Sequence, residues 1–217
     1  MNENGSFQVY YGGSFDPPHK GHFEIISFLI KDPWVQKLHL VPTFQNPLKA
    51  EQNSGALWNN PSLRWKWVTA LVEDIKNTSS AENFEKLILE NSEFERKESS
   101  YTIDTLISLK KRENLLHSNW VLAMGSDLLG GLEKWKQINS LLNEISGVWI
   151  FTRGLDEKVE DKIPKSLRSL SNFRIMNQSI TPISSTEIRE NYSKSKTLKA
   201  DDCFSPKVRQ AILSSIE

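Results

Sequence analysis

Two histidines, His19 and His22, stand three positions apart, straight after a glycine bend in "YYGGSFDPPHKGHFEII", residues 10–26. On a starting helical turn that spacing lets both rings point toward one anion. Gly12 and Gly13, at the end of a strand-like run, let backbone approach a phosphate closely, and the start of the following helix supplies N–H groups for it. Gly21 removes a side chain between the histidines where a bulky ligand needs room. The competing reading is a Pro17-Pro18 turn decorated by surface histidines. A single glycine turn would leave that reading ahead. The joint pattern of Gly-Gly, Ser, Asp, Pro and His-x-Gly-His weighs against it.

The elements that must position these groups alternate along the chain. Runs rich in β-branched and aromatic residues predict strands at 7–11, 37–43, 84–91, 119–127 (ending in Gly125), 147–153 and 173–177. Helical spacing predicts a helix at 20–31, with Phe23, Ile26, Leu29 and Ile30 on its apolar face. A second is predicted at 61–76, with Leu63, Trp67, Leu71 and Ile75. Further helices are expected at 100–116, where the opening Ser and Thr can cap, and at 185–195 and 205–216. The fold class is α/β: a Rossmann-like, doubly wound parallel sheet with helices on both faces and a small C-terminal helical region. One domain is expected over 1–217, with a core at about 7–190 and a helical extension at 191–217. In such sheets ligands sit beyond the carboxyl ends of the strands, near the switch point. Gly12 to His22, Pro42 to Lys49 and Gly125 to Asp127 all fall there. Segments 51–60, 77–83 and 154–172 read as loops or lids.

Composition narrows the partners. The 217 residues carry 27 Lys plus Arg against 27 Asp plus Glu, a formal net charge of zero. A protein gripping long nucleic acid by counterion release carries a basic surplus, so a small-molecule partner is favoured over polymeric nucleic acid. Cys203 is the sole cysteine, so no intrachain disulfide is possible and a reducing compartment fits. No basic-then-apolar leader pattern and no membrane-length apolar run occurs, so a cytoplasmic protein without membrane partners is expected.

"GGSFDPPHKGH" resembles the signature of the His-x-Gly-His nucleotidylyltransferases. The resemblance reaches from residue 8 to about 190, in family order, and is strongest to the bacterial nicotinate-nucleotide adenylyltransferases. "VPTFQNPLK" (41–49) is similar to their second loop. "SSYTIDTL" (99–106) is similar to their Ser-Tyr-Thr segment, "GSDLLGGLEKW" (125–135) to their Gly-x-Asp segment followed by tryptophan, and "ISSTEIRE" (183–190) to their late motif. The resemblance implies ATP plus nicotinate mononucleotide giving the dinucleotide and pyrophosphate, with Mg2+ carried by the ATP phosphates. The chemistry agrees independently. A phosphate oxygen is already an anionic nucleophile, so catalysis rests on in-line positioning and on stabilising charge. Histidines, backbone N–H groups, Lys, Arg and a metal suit that task.

On this resemblance His22 meets the α-phosphate in the transition state and His19 the neighbouring phosphates. Ser14 and the backbone around Gly13 and Phe15 hold phosphate, with Asp16 orienting the loop or touching substrate. Lys49 neutralises phosphate from the far side. Ser184, Ser185 and Thr186 open a helix whose Arg189 faces the β- and γ-phosphates. Gly125 and Asp127 take the adenosine, with helix capping as the alternative for Asp127. Tyr101, Thr102 and Trp135 line the pyridine pocket, the Thr102 N–H lying near the nicotinate carboxylate. His39 and His117 lie outside every motif and read as structural. No carboxylate cluster with metal-ligand spacing occurs, so no protein-held metal is expected.

Three rivals are weighed. Sister enzymes acting on nicotinamide mononucleotide, phosphopantetheine or a cytidylyl acceptor share the histidine motif, but the Ser-Tyr-Thr and Trp135 segments point away from the last two. A non-catalytic nucleotide sensor conflicts with the intact His19, His22, Lys49 and Arg189. An RNA-binding module conflicts with the neutral charge. The chain departs from the family where Gly154 follows Arg153 in place of proline. Its C-terminus resembles the family only in part, so the oligomeric state is left open.

Overall fold

Successive side chains of the first strand point to opposite sides and enter two separate cores. Phe7, Val9 and Tyr11 join one cluster and Tyr10 the other. The computed structural model describes residues 6–45, 57–98, 101–153, 159–198 and 201–216. In chain order the first half comprises β1 (Phe7–Gly13), α1 (Lys20–Lys31), β2 (Val35–Pro42), α2 (Pro61–Thr78), α3 (Ala81–Phe84), β3 (Leu87–Leu89), α4 (Ser92–Arg96) and α5 (Thr102–Arg112). There follow β4 (Asn119–Gly125), a 3-10 segment (Ser126–Lys134), α6 (Ile138–Glu144), β5 (Gly147–Arg153), α7 (Val159–Lys162) and α8 (Lys165–Arg168). The chain continues with β6 (Arg174–Ile180), α9 (Ser185–Ser195), a 3-10 turn (Asp201–Cys203) and α10 (Pro206–Ile216).

The six strands form one sheet in the order β3-β2-β1-β4-β5-β6, and every pairing is parallel. This is the doubly wound Rossmann-like order. The chain turns outward in opposite senses from β1 and β4, which opens a crevice at their carboxyl ends. One face is covered by α1, α2, α9 and α10, whose Ile26, Leu29, Trp67, Ile188 and Val208 pack on β1, β4 and β5. The other face is covered by α5 and α6, through Ile103, Leu106, Leu109 and Leu141.

Buried polar groups lock the periphery. The Asp74 carboxylate of α2 accepts hydrogen bonds from Lys207 N–H (2.9 Å) and Val208 N–H (3.3 Å), so it caps the start of α10 from another helix. His39 on β2 bonds Glu90 at 2.8 Å through Nδ1 and Gln8 at 3.1 Å through Nε2, and Arg112 donates to the same Glu90 at 2.7 Å. Burial works against the Glu90 charge, but the bonds from His39 and Arg112 outweigh it and hold the carboxyl below its usual range.

Several local expectations need correction. The strand expected at 84–91 shortens to Leu87–Leu89, and the stretch before it winds into α3 behind a Ser80 cap. The helix expected at 100–116 runs Thr102–Arg112. Its N-cap is Tyr101, with no side-chain cap bond, so Thr102 is the first helical residue rather than a cap. Segment 77–83 holds the end of α2 and the start of α3, and 154–172 contains α7 and α8 among its described residues. These turns carry Val159, Ile163 and Leu167 into the second core, which explains their order. Residues 51–56, 99–100 and 154–158 lie outside the described part.

Candidate active site

The loop after β1 is held in a tight, specific shape. Phe15 adopts φ 46 with its ring only 2% exposed, packed edge-on against Tyr11 (5.8 Å) and His22 (4.9 Å). The left-handed region costs a non-glycine residue about 1–2 kcal/mol, so the burial of that ring is what makes the conformation tenable. Gly12, Gly13 and Gly21 each also have a packing reason within the protein. A Cβ on Gly12 would lie 2.7 Å from Tyr10 Cε1, and one on Gly13 3.2 Å from the Phe15 ring. At Gly21 the neighbours would be the His19 ring at 3.2 Å and an Ile180 methyl at 3.3 Å. The space that Gly21 opens is therefore filled by the protein's own His19 and Ile180.

His19 is the N-cap of α1, and His22 is the third residue of the helix. The His19 backbone N–H donates to His22 Nδ1 at 3.1 Å, the return half of a capping box. An accepting Nδ1 has no proton, so neutral His22 carries its N–H on Nε2. The two rings lie 3.8 Å apart, centroid to centroid, with His19 buried and His22 half-buried.

The start of α9 leans on the same loop. Ser184 caps the helix by accepting from Glu187 N–H, and Ser185 Oγ donates to the Pro17 carbonyl at 2.9 Å. Arg189 Nη1 donates to the Asp16 carbonyl at 2.6 Å and lies 3.7 Å from its carboxylate, while Nη2 donates to Thr186 Oγ1. Asp16 in turn accepts from Asn59 N–H at 3.0 Å, which favours its loop-orienting reading. Glu24 of α1 accepts from both the N–H and the hydroxyl of Thr181, tying α1 to the end of β6.

The second loop leaves β2 beside this one, and Thr43 N–H donates to the Gly13 carbonyl at 2.9 Å. Lys49, expected farther along it, lies outside the described residues. A residue the sequence reading missed dominates this corner. Arg64 of α2, 1% exposed, donates to the carbonyls of Ser14 (2.9 Å), Thr43 and Phe44. Burial pulls its guanidinium below the usual range, and the carboxylates of Asp16 and Glu93 act in the opposite direction. The available signal was a cation three positions before Trp67, on the buried face of an otherwise apolar helix.

The candidates expected for the adenosine and for the pyridine ring lie on and after β4, the neighbour of β1, and at the start of α5. Gly125 closes the strand, Asp127 is exposed on the following 3-10 segment, and buried Leu129 and Leu132 anchor that segment. Tyr101 and Trp135 pack against the same core cluster, and Thr102 opens α5 between them in sequence. Lys136, a second missed residue, sits 4.3 Å over the Tyr101 ring and 2.9 Å from Asp104. Behind them buried Glu93 accepts from Thr105 Oγ1 (2.8 Å) and Phe44 N–H (3.2 Å), linking α5 to the loop after β2. Among the described residues no group of three or more His, Cys, Asp or Glu is placed to hold a metal ion. No described helix is long and apolar enough to cross a membrane.

A parallel 3-2-1-4-5-6 sheet with a glycine- and histidine-bearing loop at its switch point is the architecture of a nucleotide-binding α/β protein. The chain belongs to the cytidylyltransferase-like family, whose model matches residues 10–191. It is 30% identical over 208 residues to the "Probable nicotinate-nucleotide adenylyltransferase" of Leptospira interrogans, covering 94% of this chain and 93% of that protein. A protein of the same name from Sulfurovum is 29% identical over 217 residues, 100% of this chain and 97% of the relative. Among solved structures, the Plasmodium falciparum nicotinic acid mononucleotide adenylyltransferase complexed with NaAD superposes with TM-score 0.71 at 22% identity, over 96% of this chain and 95% of that one. The likeness to this structure supports the fold.

Proposed function

We propose that this protein transfers the adenylyl group of ATP to nicotinate mononucleotide, giving nicotinate adenine dinucleotide and pyrophosphate, a step of NAD biosynthesis. It is a nucleotidyltransferase. A phosphate oxygen of the mononucleotide attacks the α-phosphorus of ATP, an oxygen–phosphorus bond forms, the α–β bridge bond breaks, and pyrophosphate carries away the bonding pair. No protein nucleophile or general base is needed, because the attacking oxygen is already charged.

The observation that carries this reading is the hydrogen bond from His19 N–H to His22 Nδ1. With Nδ1 accepting, the His22 Nε2–H is a donor whose direction is set by the helix start. Such a preorganised donor stabilises charge that grows on the α-phosphate oxygens in the transition state. His19, Ser14 and the backbone of Gly12, Gly13 and Phe15 hold the neighbouring phosphates. Arg189 has five N–H groups, so its bonds to Asp16 and Thr186 leave donors for the β- and γ-phosphates beside Ser184, Ser185 and Thr186. Lys49 closes the phosphate site from the second loop. Gly125 and Asp127 receive the adenosine, and Tyr101, Thr102 and Trp135 the pyridine ring. The N–H and cationic groups fit the ATP phosphates rather than a metal, so a Mg2+ ion would arrive on those phosphates, keeping waters and substrate oxygens as ligands. Bound there, the ion would neutralise charge on the leaving pyrophosphate. The cytoplasm is the proposed location.

The acceptor is supported by the names of relatives at about this identity over most of the chain and by the Tyr101 to Trp135 grouping. Pyrophosphate release from ATP and Mg2+, measured with nicotinate mononucleotide, nicotinamide mononucleotide and phosphopantetheine in turn, tests it. Release with phosphopantetheine alone would move the protein to a sister activity.

A further inference from the structure

We propose that Arg64 is a positioning residue for ATP: it orients the peptide after Ser14 and keys the loop after β2 to the loop after β1. Its guanidinium donates to the Ser14 carbonyl on one loop and to the Thr43 and Phe44 carbonyls on the other. These loops leave the two adjacent strands at register-matched positions, Gly13 opposite Pro42. In a trans peptide the carbonyl and the next N–H point in opposite directions. Holding the Ser14 carbonyl therefore turns the Phe15 N–H away from Arg64. Phe15 is also the residue in the left-handed conformation, and its ring touches the His22 ring. One side chain thus sets the aim of a backbone donor in the phosphate loop, next to the histidine that neighbours it. Its positive charge, 1% exposed, sits behind that loop without contacting solvent. A planar fork reaching several carbonyls is a geometry that lysine does not reproduce.

The inference rests on the adenylyl-transfer reading only in taking ATP as the ligand. Arg64→Lys and Arg64→Met, each checked by thermal melting, are titrated with MgATP by calorimetry without acceptor. They are then assayed for steady-state kinetics with ATP and nicotinate mononucleotide. The MgATP Kd and the ATP KM are expected to rise about tenfold or more in Arg64→Met, equivalent to about 1.4 kcal/mol. Arg64→Lys, with its single ammonium, is expected to show a smaller rise in the same two quantities. A residue that only supports folding lowers the active fraction, so kcat per total protein falls while Kd and KM keep their wild-type values. That pattern, or wild-type values throughout, overturns the proposal. If Arg64→Met fails to fold, Arg64→Lys decides by the same reading, and failure of both to fold also counts against it. Because ATP binding is read without acceptor, a wrong choice of acceptor leaves this test intact.

Discussion

The His19 backbone N–H donates to His22 Nδ1 at 3.1 Å. A bond that caps a helix also fixes which nitrogen of the neighbouring ring bears its proton. The same contact therefore serves stability and the proposed chemistry, and the two roles separate by substitution.

His22→Asn leaves a side-chain acceptor near the position of Nδ1 and removes the Nε2 donor. His22→Ala removes both. Each is expected to lower turnover by roughly two to three orders of magnitude, the usual loss for one charge-stabilising donor. Only the alanine variant should also lose cap stability, about 0.5–2 kcal/mol. Thermal melting beside turnover measurements checks this. A His22→Asn protein with near wild-type turnover would remove the assigned role.

Glu90 gives the fold a pH dependence away from the site. Its folded pKa is depressed below the ordinary 4.5. The stability it contributes is present above that ordinary value and lost as pH falls through the folded one. Arg112, whose own pKa the Glu90 bond raises, stays charged throughout. Urea unfolding of wild type and Glu90→Gln should therefore converge as pH drops from neutrality to below about 4. A stability gap that stays constant over that window would show that the carboxylate charge contributes nothing.

The Asp74 cap predicts a purely structural effect. Asp74→Ala leaves the buried N–H of Val208 without its partner and should cost about 1–3 kcal/mol. Catalysis by the folded fraction should be unchanged, since α10 carries no candidate site residue. A lower melting temperature with unaltered KM values checks it, and unaltered stability would contradict it.

Much of the scaffold was legible because it repeats. Helix α1 matches the expected 20–31 to the residue, and the apolar face of α2 at Leu63, Trp67, Leu71 and Ile75 lies against the core as its spacing indicates. The loop after β1 was legible as a candidate site because glycine, proline and histidine cluster there. Arg64 was not, because its partner Ser14 is 50 residues away and accepts through a carbonyl, which every residue has. The conformation of Phe15 escaped for a similar reason. A left-handed non-glycine residue is held by tertiary packing and leaves no local mark. The short helices α7 and α8 escaped because a four-residue turn is too brief to show a period. The pairing of Lys136 with Asp104 spans 32 residues and reads, in sequence, as two ordinary surface charges.

The central claim is the acceptor, and the ratio of kcat/KM for nicotinate against nicotinamide mononucleotide tests it most directly. In the proposed pocket near Thr102 and the Trp135 segment, N–H donors would satisfy both oxygens of a carboxylate through charge-assisted bonds. The amide must turn its NH2 toward one donor, leaving both groups unpaired at about 1–3 kcal/mol each. With each 1.4 kcal/mol worth about a factor of ten, the account predicts a preference for the nicotinate form of roughly tenfold to several hundredfold. Equal use of the two mononucleotides, or preference for the amide, would contradict it.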